Sequence, residues 1–188
     1  MSRVGKQPVA IPAGVKAVVQ DGKISVEGPK GKLNFSPGEG VKVVVQDGHI
    51  LVSPIVTQKD KAGKEFIPKQ IKANYGTARA TINNMVVGVT KAWKRSLELN
   101  GVGFVAKVQG QVLTLAVGFS HDVIINVPKE VKVSVTKNVI DLESADRQLV
   151  GTLASGIRKI QPPEPYLGKG IKYVEETIRR KAGKTGKK

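Results

Sequence analysis

One strand-and-turn pattern occurs twice in this chain, at residues 41–50 and again 90 positions later at residues 131–140. In each copy three valines occupy alternate positions and a lysine lies between the first two of them. That alternation is typical of a strand with one buried face. Asp47-Gly48 and Lys137-Asn138 follow at the place of a tight turn, so each copy is predicted to form a β-hairpin. A duplicated hairpin limits the fold to two similar units in tandem.

A second match follows each hairpin, and here the offset is 75 instead of 90. Gly76-Thr77 aligns with Gly151-Thr152. The first copy therefore carries about fifteen additional residues, which we place at about 57–70. This insertion is polar and basic, so we expect a mobile loop or a hairpin extension.

Each copy is predicted to end in a helix. In the first copy, apolar residues recur at spacings of three and four, which places them on one helical face. In the second copy Leu149, Leu153 and Ile157 have the same spacing, with Ser144 as a candidate N-cap. The first set consists of Ile71, Tyr75, Ala78, Ile82, Met85 and Val89.

Short alternating stretches precede both helices and predict the strands. The fold class that follows is α+β: two tandem homologous domains, each an antiparallel or mixed β-sheet covered by a helix, plus a basic C-terminal extension. We place the first repeat at residues 1–90, the second at 91–160 and the extension at 161–188. The predicted strands are residues 23–27, 32–35, 41–46, 49–53, 111–117, 122–127, 131–136 and 139–142.

The extension concentrates positive charge. From Arg158 to the end there are ten basic and three acidic residues, whereas residues 96–157 have five basic and six acidic ones. Three prolines, Pro162, Pro163 and Pro165, favour extended backbone, and Gly168 and Gly170 permit close approach to a partner. A near-neutral domain with a cationic end indicates a polyanion contact, the alternative being a solvated terminus.

A short helix is predicted at about 172–181, with Val174 and Ile178 as docking residues. Glu175 and Arg179, and likewise Glu176 and Arg180, have the i,i+4 spacing of helical ion pairs. Such pairs would neutralise part of the basic cluster within the helix.

The whole chain carries a formal charge of +16 with a sequence pI near 10.1, and 40% of its residues are hydrophobic. This content is ample for a core, and the charge suits phosphate binding. The chain has no cysteine, which excludes disulfides and thiolate metal sites and fits a reducing compartment. With no long apolar run and no signal-like start, we expect a cytoplasmic protein.

Enzyme chemistry finds no support in the sequence. The stretch from Gly101 to Ala106 imitates a dinucleotide fingerprint but continues as a strand instead of a helix. Gly183-Lys184-Thr185 lacks the upstream glycine of a phosphate loop. His49 and His121 are interpreted as turn or surface residues without metal-ligand spacing. We therefore expect a non-enzyme without a cofactor, a metal or a small-molecule substrate.

Aromatic residues are few, which argues against a stacking platform for single strands. Trp93, Phe66, Phe104, Phe119 and Tyr75 lie in apolar patterns and are predicted to be in the core. The residues favour binding to folded RNA or to a duplex backbone by charge and shape, with basic side chains on phosphates and 2′-hydroxyls.

Several motifs resemble one family. Residues 163–171 look like the C-terminal signature of the sixth large-subunit ribosomal protein family. Residues 3–12, the turn at 26–31 and Asn100 to Phe104 also match its pattern in order along the chain. Leu167 is a departure, because the signature usually has lysine after the tyrosine.

The resemblance implies a structural protein of the large ribosomal subunit that binds the large-subunit (23S-type) rRNA through its second domain and C-terminal extension. It also implies a location near the stalk base and factor-binding region, with neighbouring ribosomal proteins as partners. Arg3 and Lys6 are weaker candidate contacts, and the insertion lysines Lys59, Lys61 and Lys64 are expected to be solvated. The expected RNA contacts are, from the signature, Tyr166, Gly168, Lys169 and Gly170, and, from charge and proximity, Arg158, Lys159, Lys172, Arg179, Arg180 and Lys181.

A different class of function stays open on the residues alone. A peripheral adaptor would use the same cationic end to bind an anionic membrane or an acidic protein.

Overall fold

A computed structural model describes residues 3–55, 58–59 and 65–183 of the chain. The chain forms two compact units, one of Met1–Ala92 with Ala145–Arg147, the other of Trp93–Ser144 with Gln148–Lys188. The α+β class is confirmed, because each unit combines a helix with antiparallel sheets.

The first unit contains eight of the strands in the described residues and one long helix. Its sheets have the strand orders β1-β6-β5 and β2-β3-β4, with β7 and β8 as a separate two-stranded ribbon. Helix α1 spans Lys69–Lys91 and contacts both three-stranded sheets. The strands are β1 (Val9–Ala10), β2 (Lys16–Gln20), β3 (Lys23–Gly28), β4 (Gly31–Phe35), β5 (Val41–Gln46), β6 (His49–Pro54), β7 (Gln58–Lys59) and β8 (Glu65–Phe66).

The second unit contains seven strands and one helix among the described residues. One sheet has the order β10-β11-β12 and the other the order β13-β14-β9-β15. Helix α2 spans Arg147–Ile160 and buries Val150, Ala154 and Ile157 in the core of this unit. The strands are β9 (Trp93–Asn100), β10 (Val105–Gln109), β11 (Val112–Ala116), β12 (Val123–Asn126), β13 (Lys132–Thr136), β14 (Val139–Ser144) and β15 (Gly170–Tyr173).

Both predicted hairpins are confirmed with their two-residue turns. Gln46 pairs with His49 in one and Thr136 with Val139 in the other. Asp47 and Gly48 have φ values of 47° and 71°, the left-handed backbone that such turns require.

Helix α1 buries the predicted apolar face, including Tyr75, Ile82 and Val89. The insertion contains a two-stranded ribbon in which Gln58–Lys59 pairs with Glu65–Phe66, as expected for a hairpin extension. Helix α1 begins at Lys69, which lies within the predicted bounds of the insertion. Lys61 and Lys64 lie outside the described residues, and so do the side chain of Lys59 and the end of the chain from residue 184.

Three local predictions are wrong. Ser144 is the buried last residue of β14 and α2 begins only at Arg147, so Ser144 is not a helix N-cap. Phe119 is 47% exposed instead of lying in the core. The short helix at 172–181 does not form: Gly170–Tyr173 is a strand, and none of residues 174–181 is helical.

Other interpretations of single residues agree with the structure. His49 and His121 are both exposed, and Tyr75 is buried. The stretch after Gly103 continues as strand β10 and does not open a helix. In the described part of the chain, no helix is long and apolar enough to cross a membrane.

Candidate nucleic-acid interface

The chain leaves α2 through a turn that closes on itself by main-chain hydrogen bonds. The amide of Glu164 donates to the carbonyl of Lys169 at 2.8 Å, and the amide of Gly168 donates to the carbonyl of Glu164 at 3.1 Å. The Ile171 amide donates to the Gln161 carbonyl at 2.7 Å. Because three proline nitrogens in residues 162–165 cannot donate, these few bonds define the shape of the turn. We call residues 161–183 the C-terminal segment.

Two glycines of this turn are buried against the chain itself. Gly168 has a φ of 75°, and a β-carbon there would lie 3.3 Å from a guanidinium nitrogen of Arg180. Gly170 has a φ of 139° and lies against the main chain of Pro162 and Pro163. These glycines therefore permit close approach between two parts of this chain, whereas the sequence analysis expected close approach to a partner.

Strand β15 attaches the C-terminal segment to the sheet of the second unit. It pairs with β9, and Lys172 lies directly opposite Glu98 in this register. The Lys172 ammonium lies 3.0 Å from the Glu98 carboxylate, and Ile171 is fully buried beside them. β15 is thus an edge strand fixed by main-chain bonds, an ion pair and a core side chain.

Glu176, just beyond β15, makes the best-formed ion pair of the segment. The Arg158 guanidinium donates to both of its carboxylate oxygens, at 2.8 Å and 2.5 Å, and the Tyr173 amide donates at 3.2 Å. These hydrogen bonds, led by those from Arg158, hold the pKa of Glu176 below its usual value and raise the pKa of Arg158. Two parallel N–H to oxygen bonds fix both the distance and the orientation of the partners.

A second pair holds the neighbouring residue. Arg95 on β9 pairs with Glu175 and also lies over the Tyr173 ring, 5.9 Å from its centroid. The predicted i,i+4 pairs are therefore wrong, because Glu175 and Glu176 bind arginines of β9 and α2 and not Arg179 and Arg180.

After these pairs the chain returns to the proline turn. The Lys181 amide donates to the Pro165 carbonyl at 2.8 Å, and the Arg180 guanidinium lies beside Gly168. The basic end and the signature turn are thus brought together, although they are more than ten positions apart in the sequence.

The structure divides the predicted contact residues into two groups. Arg158 and Lys172 form ion pairs with carboxylates of the same unit, and Gly168 and Gly170 are buried. The other six are exposed, and Tyr166 is accessible over 51% of its surface. Within the described ranges, the five basic members of this exposed group make no ion pair; they are Lys159, Lys169, Arg179, Arg180 and Lys181.

Arg3 and Lys6, the weaker candidates, are exposed in the first unit. The structure also adds residues that the sequence did not single out. Arg95, Glu98 and Tyr173 hold the segment, and the alternating apolar residues around Leu97 and Leu99 were the available signal for strand β9.

The described residues contain no group of three or more His, Asp or Glu side chains arranged to hold a metal ion. The five exposed basic side chains on α2 and the C-terminal segment suit a polyanionic partner.

Comparison with known proteins agrees with the motifs. A family model described as Ribosomal protein L6 matches residues 11–92 and 100–174. Among curated proteins, the large ribosomal subunit protein uL6 of a Nitratiruptor species is 47% identical over 190 residues, with 100% of both chains covered. Large ribosomal subunit protein uL6 of Wolinella succinogenes and uL6c of Guillardia theta are each 44% identical over 189 residues, again with full coverage of both chains.

Proposed function

This chain belongs to the ribosomal protein L6 family, and we propose that it binds large-subunit (23S-type) rRNA through its second unit and C-terminal segment. As a member of this family it is a structural protein of the large ribosomal subunit and not an enzyme. Its partners are rRNA and other ribosomal proteins.

The observation that carries the proposed binding mode is the exposed cation group. Lys159, Lys169, Arg179, Arg180 and Lys181 are exposed, and their side chains make no ion pair within the described residues. Lys159 lies on α2, and the other four lie on the C-terminal segment, which is held by strand pairing, ion pairs and a closed turn. All five are therefore presented from folded parts of the unit. Preformed cationic surfaces suit a structured RNA, whose phosphates have fixed positions.

The chemistry of this contact is mainly electrostatic. Basic side chains would neutralise phosphates and release counterions, which gives affinity without reading the base sequence. If the five cations each neutralise one phosphate, log K should fall against log salt with a slope of roughly −3.5 to −4.5. Exposed Tyr166 offers an aromatic face for an unstacked base or a ribose beside these charges.

We further propose a position near the stalk base and the factor-binding region, with neighbouring ribosomal proteins as protein partners. The support for this position is the signature at residues 163–171, which lies within the matched range 100–174. Leu167, in the place of the usual lysine, is 64% exposed, so the contact there is apolar instead of ionic.

Binding is tested by titrating the full chain with a large-subunit rRNA fragment at several salt concentrations. Anionic phospholipid vesicles at equal charge concentration serve as the competing polyanion. We expect the fragment to bind with the steep salt dependence given above and to withstand the vesicles. Salt-independent binding, or preferential binding to vesicles, would refute the proposed rRNA contact.

A further inference from the structure

The three cations Arg179, Arg180 and Lys181 lie in a stretch without helix or strand, yet they begin only three positions after the ion-paired residue Glu176. We propose that Glu176 is a positioning residue that, through Arg158, orients this basic stretch for RNA before RNA is bound. This inference rests on the proposed rRNA contact and adds how the contact is prepared.

The stretch between Glu176 and Lys181 is held at both ends. At one end Arg158 contacts both carboxylate oxygens of Glu176, and the Tyr173 amide adds a third bond. At the other end the Lys181 amide bonds to the Pro165 carbonyl. Five residues can span at most about 18 Å when fully extended, so two fixed ends limit where Arg179 and Arg180 can reach.

The charges at this position are informative because an acidic residue beside an RNA contact repels phosphates. If net charge alone determined RNA binding, removal of Glu176 would raise the affinity for RNA. Here the repulsion is offset, since Arg158 neutralises the carboxylate. Arg158 of α2 is thus used to hold the C-terminal segment, while Arg179, Arg180 and Lys181 make no ion pair with any described residue.

Glu176 also remains charged under ordinary conditions. Its hydrogen bonds with Arg158 hold its pKa below the usual value, so the ion pair persists at neutral pH. Its side chain is 25% exposed and that of Arg158 31% exposed, and partial burial strengthens such a pair relative to one in open solvent.

The decisive variant is Glu176→Gln, because electrostatics and positioning predict opposite results. Removal of a negative charge from a cationic segment would tighten RNA binding by simple charge counting. Loss of the positioning interaction should instead raise the Kd for the rRNA fragment by about fivefold to tenfold, since the basic stretch must then be ordered during binding. The salt slope should become shallower by about 0.7–0.9 for each phosphate that is no longer neutralised.

Glu130→Gln is the matched control. Glu130 is exposed in the same unit, next to β13 at the opposite edge of the sheet from β15, and its substitution changes the net charge equally. We expect the Kd of this variant to be unchanged or slightly lower. Arg158→Lys is a milder second probe, because lysine keeps the charge but loses the two-pronged contact; its Kd should also rise.

The charge-swapped variant Arg158→Glu with Glu176→Arg separates positioning from general damage. It keeps the net charge and can re-form the pair in reverse, so it should recover most of the affinity and the original salt slope. Thermal unfolding of each variant verifies that the unit is folded.

These results decide between positioning by Glu176 and binding determined by net charge alone. Wild-type affinity in both Glu176→Gln and Arg158→Lys would overturn the inference, and so would a swapped variant as weak as Glu176→Gln. A wild-type chain that fails to bind the fragment at all would instead refute the proposed rRNA contact itself.

Discussion

Gly170 is in direct main-chain contact with Pro162, so that a β-carbon at Gly170 would lie 2.6 Å from the Pro162 carbonyl oxygen. The same atom would lie 2.7 Å from the α-carbon of Pro163. Both neighbours are backbone, which cannot move aside as a side chain can. This contact joins the first strand residue of β15 to the beginning of the proline turn.

Gly170→Ala should therefore destabilise the second unit. The added methyl group meets fixed backbone, and the φ of 139° at Gly170 is disfavoured for alanine. We expect a loss of about 2–4 kcal/mol in the free energy of unfolding, in the range of strain and overpacking effects. Urea-induced unfolding followed by circular dichroism measures this loss.

Gly156→Ala provides the control within the same unit. Gly156 lies in α2 with no atom within 4 Å of an added β-carbon, so alanine should stabilise the helix by about 0.5–1 kcal/mol. Equal effects of the two substitutions would contradict the assigned contact between Gly170 and Pro162.

The ion pair of Glu176 with Arg158 predicts a pH dependence of stability. The pKa of Glu176 is lower in the folded chain than its ordinary value of 4.5. Such a carboxyl stabilises the fold fully above the unfolded pKa and loses this contribution as pH falls through the folded pKa. The stability advantage of the wild type over Glu176→Gln should thus be constant near neutral pH and shrink below about pH 4.5.

This is measured by unfolding both proteins in urea across the acidic range. An advantage that stays constant down to the acid transition would show that Glu176 does not act as an ionised partner of Arg158.

The cross-strand pair Lys172 and Glu98 should contribute measurably to the stability of the β15 edge. Their side chains are only 21% and 33% exposed, and they lie directly opposite each other. A double-mutant cycle with Lys172→Met and Glu98→Gln should give a coupling of about 0.5–1 kcal/mol in unfolding free energy.

Lys32 and Glu27 offer a matched comparison in the first unit. They are also directly opposite on neighbouring strands, but lie 3.8 Å apart with side chains 59% and 62% exposed. Their coupling should be smaller, about 0–0.5 kcal/mol. A coupling at Lys32 and Glu27 as large as that at Lys172 and Glu98 would contradict the role assigned to burial.

Local patterns predicted the elements whose signals are contained in short stretches of sequence. Asp47-Gly48 specifies its own turn, and the spacing from Tyr75 to Val89 specifies the buried face of α1. Strand β9 was not predicted, although apolar residues around Leu97 alternate there with polar and charged ones. Its central place in the sheet follows only from its pairing with β14 on one side and β15 on the other.

The C-terminal segment shows why the rest could not be predicted. Glu175 and Arg179 have helical spacing, yet Glu175 pairs with Arg95, which is 80 positions away. Pairing of Ile171 and Lys172 with β9 outweighs the local helical preference of this stretch, as tertiary context often does. Sequence spacing identified the charged residues, but it could not assign which of them bind one another.

The same point applies to the candidate interface. Charge and the signature selected ten residues, but only the fold separates Lys169 and Arg180, which are exposed, from Arg158 and Lys172, which hold the segment. The contact of these residues with rRNA stays a prediction.

We propose that the exposed cations of the C-terminal segment provide the rRNA contact. The decisive measurement is the salt dependence of rRNA-fragment binding for the triple variant Lys169→Ala, Arg179→Ala and Arg180→Ala. A control triple variant removes three exposed lysines elsewhere in the same unit, namely Lys107, Lys132 and Lys137. We expect the first variant to lose about 2–3 units of slope in log K against log salt, and the control to keep nearly the wild-type slope. Equal losses in the two variants would contradict this proposal.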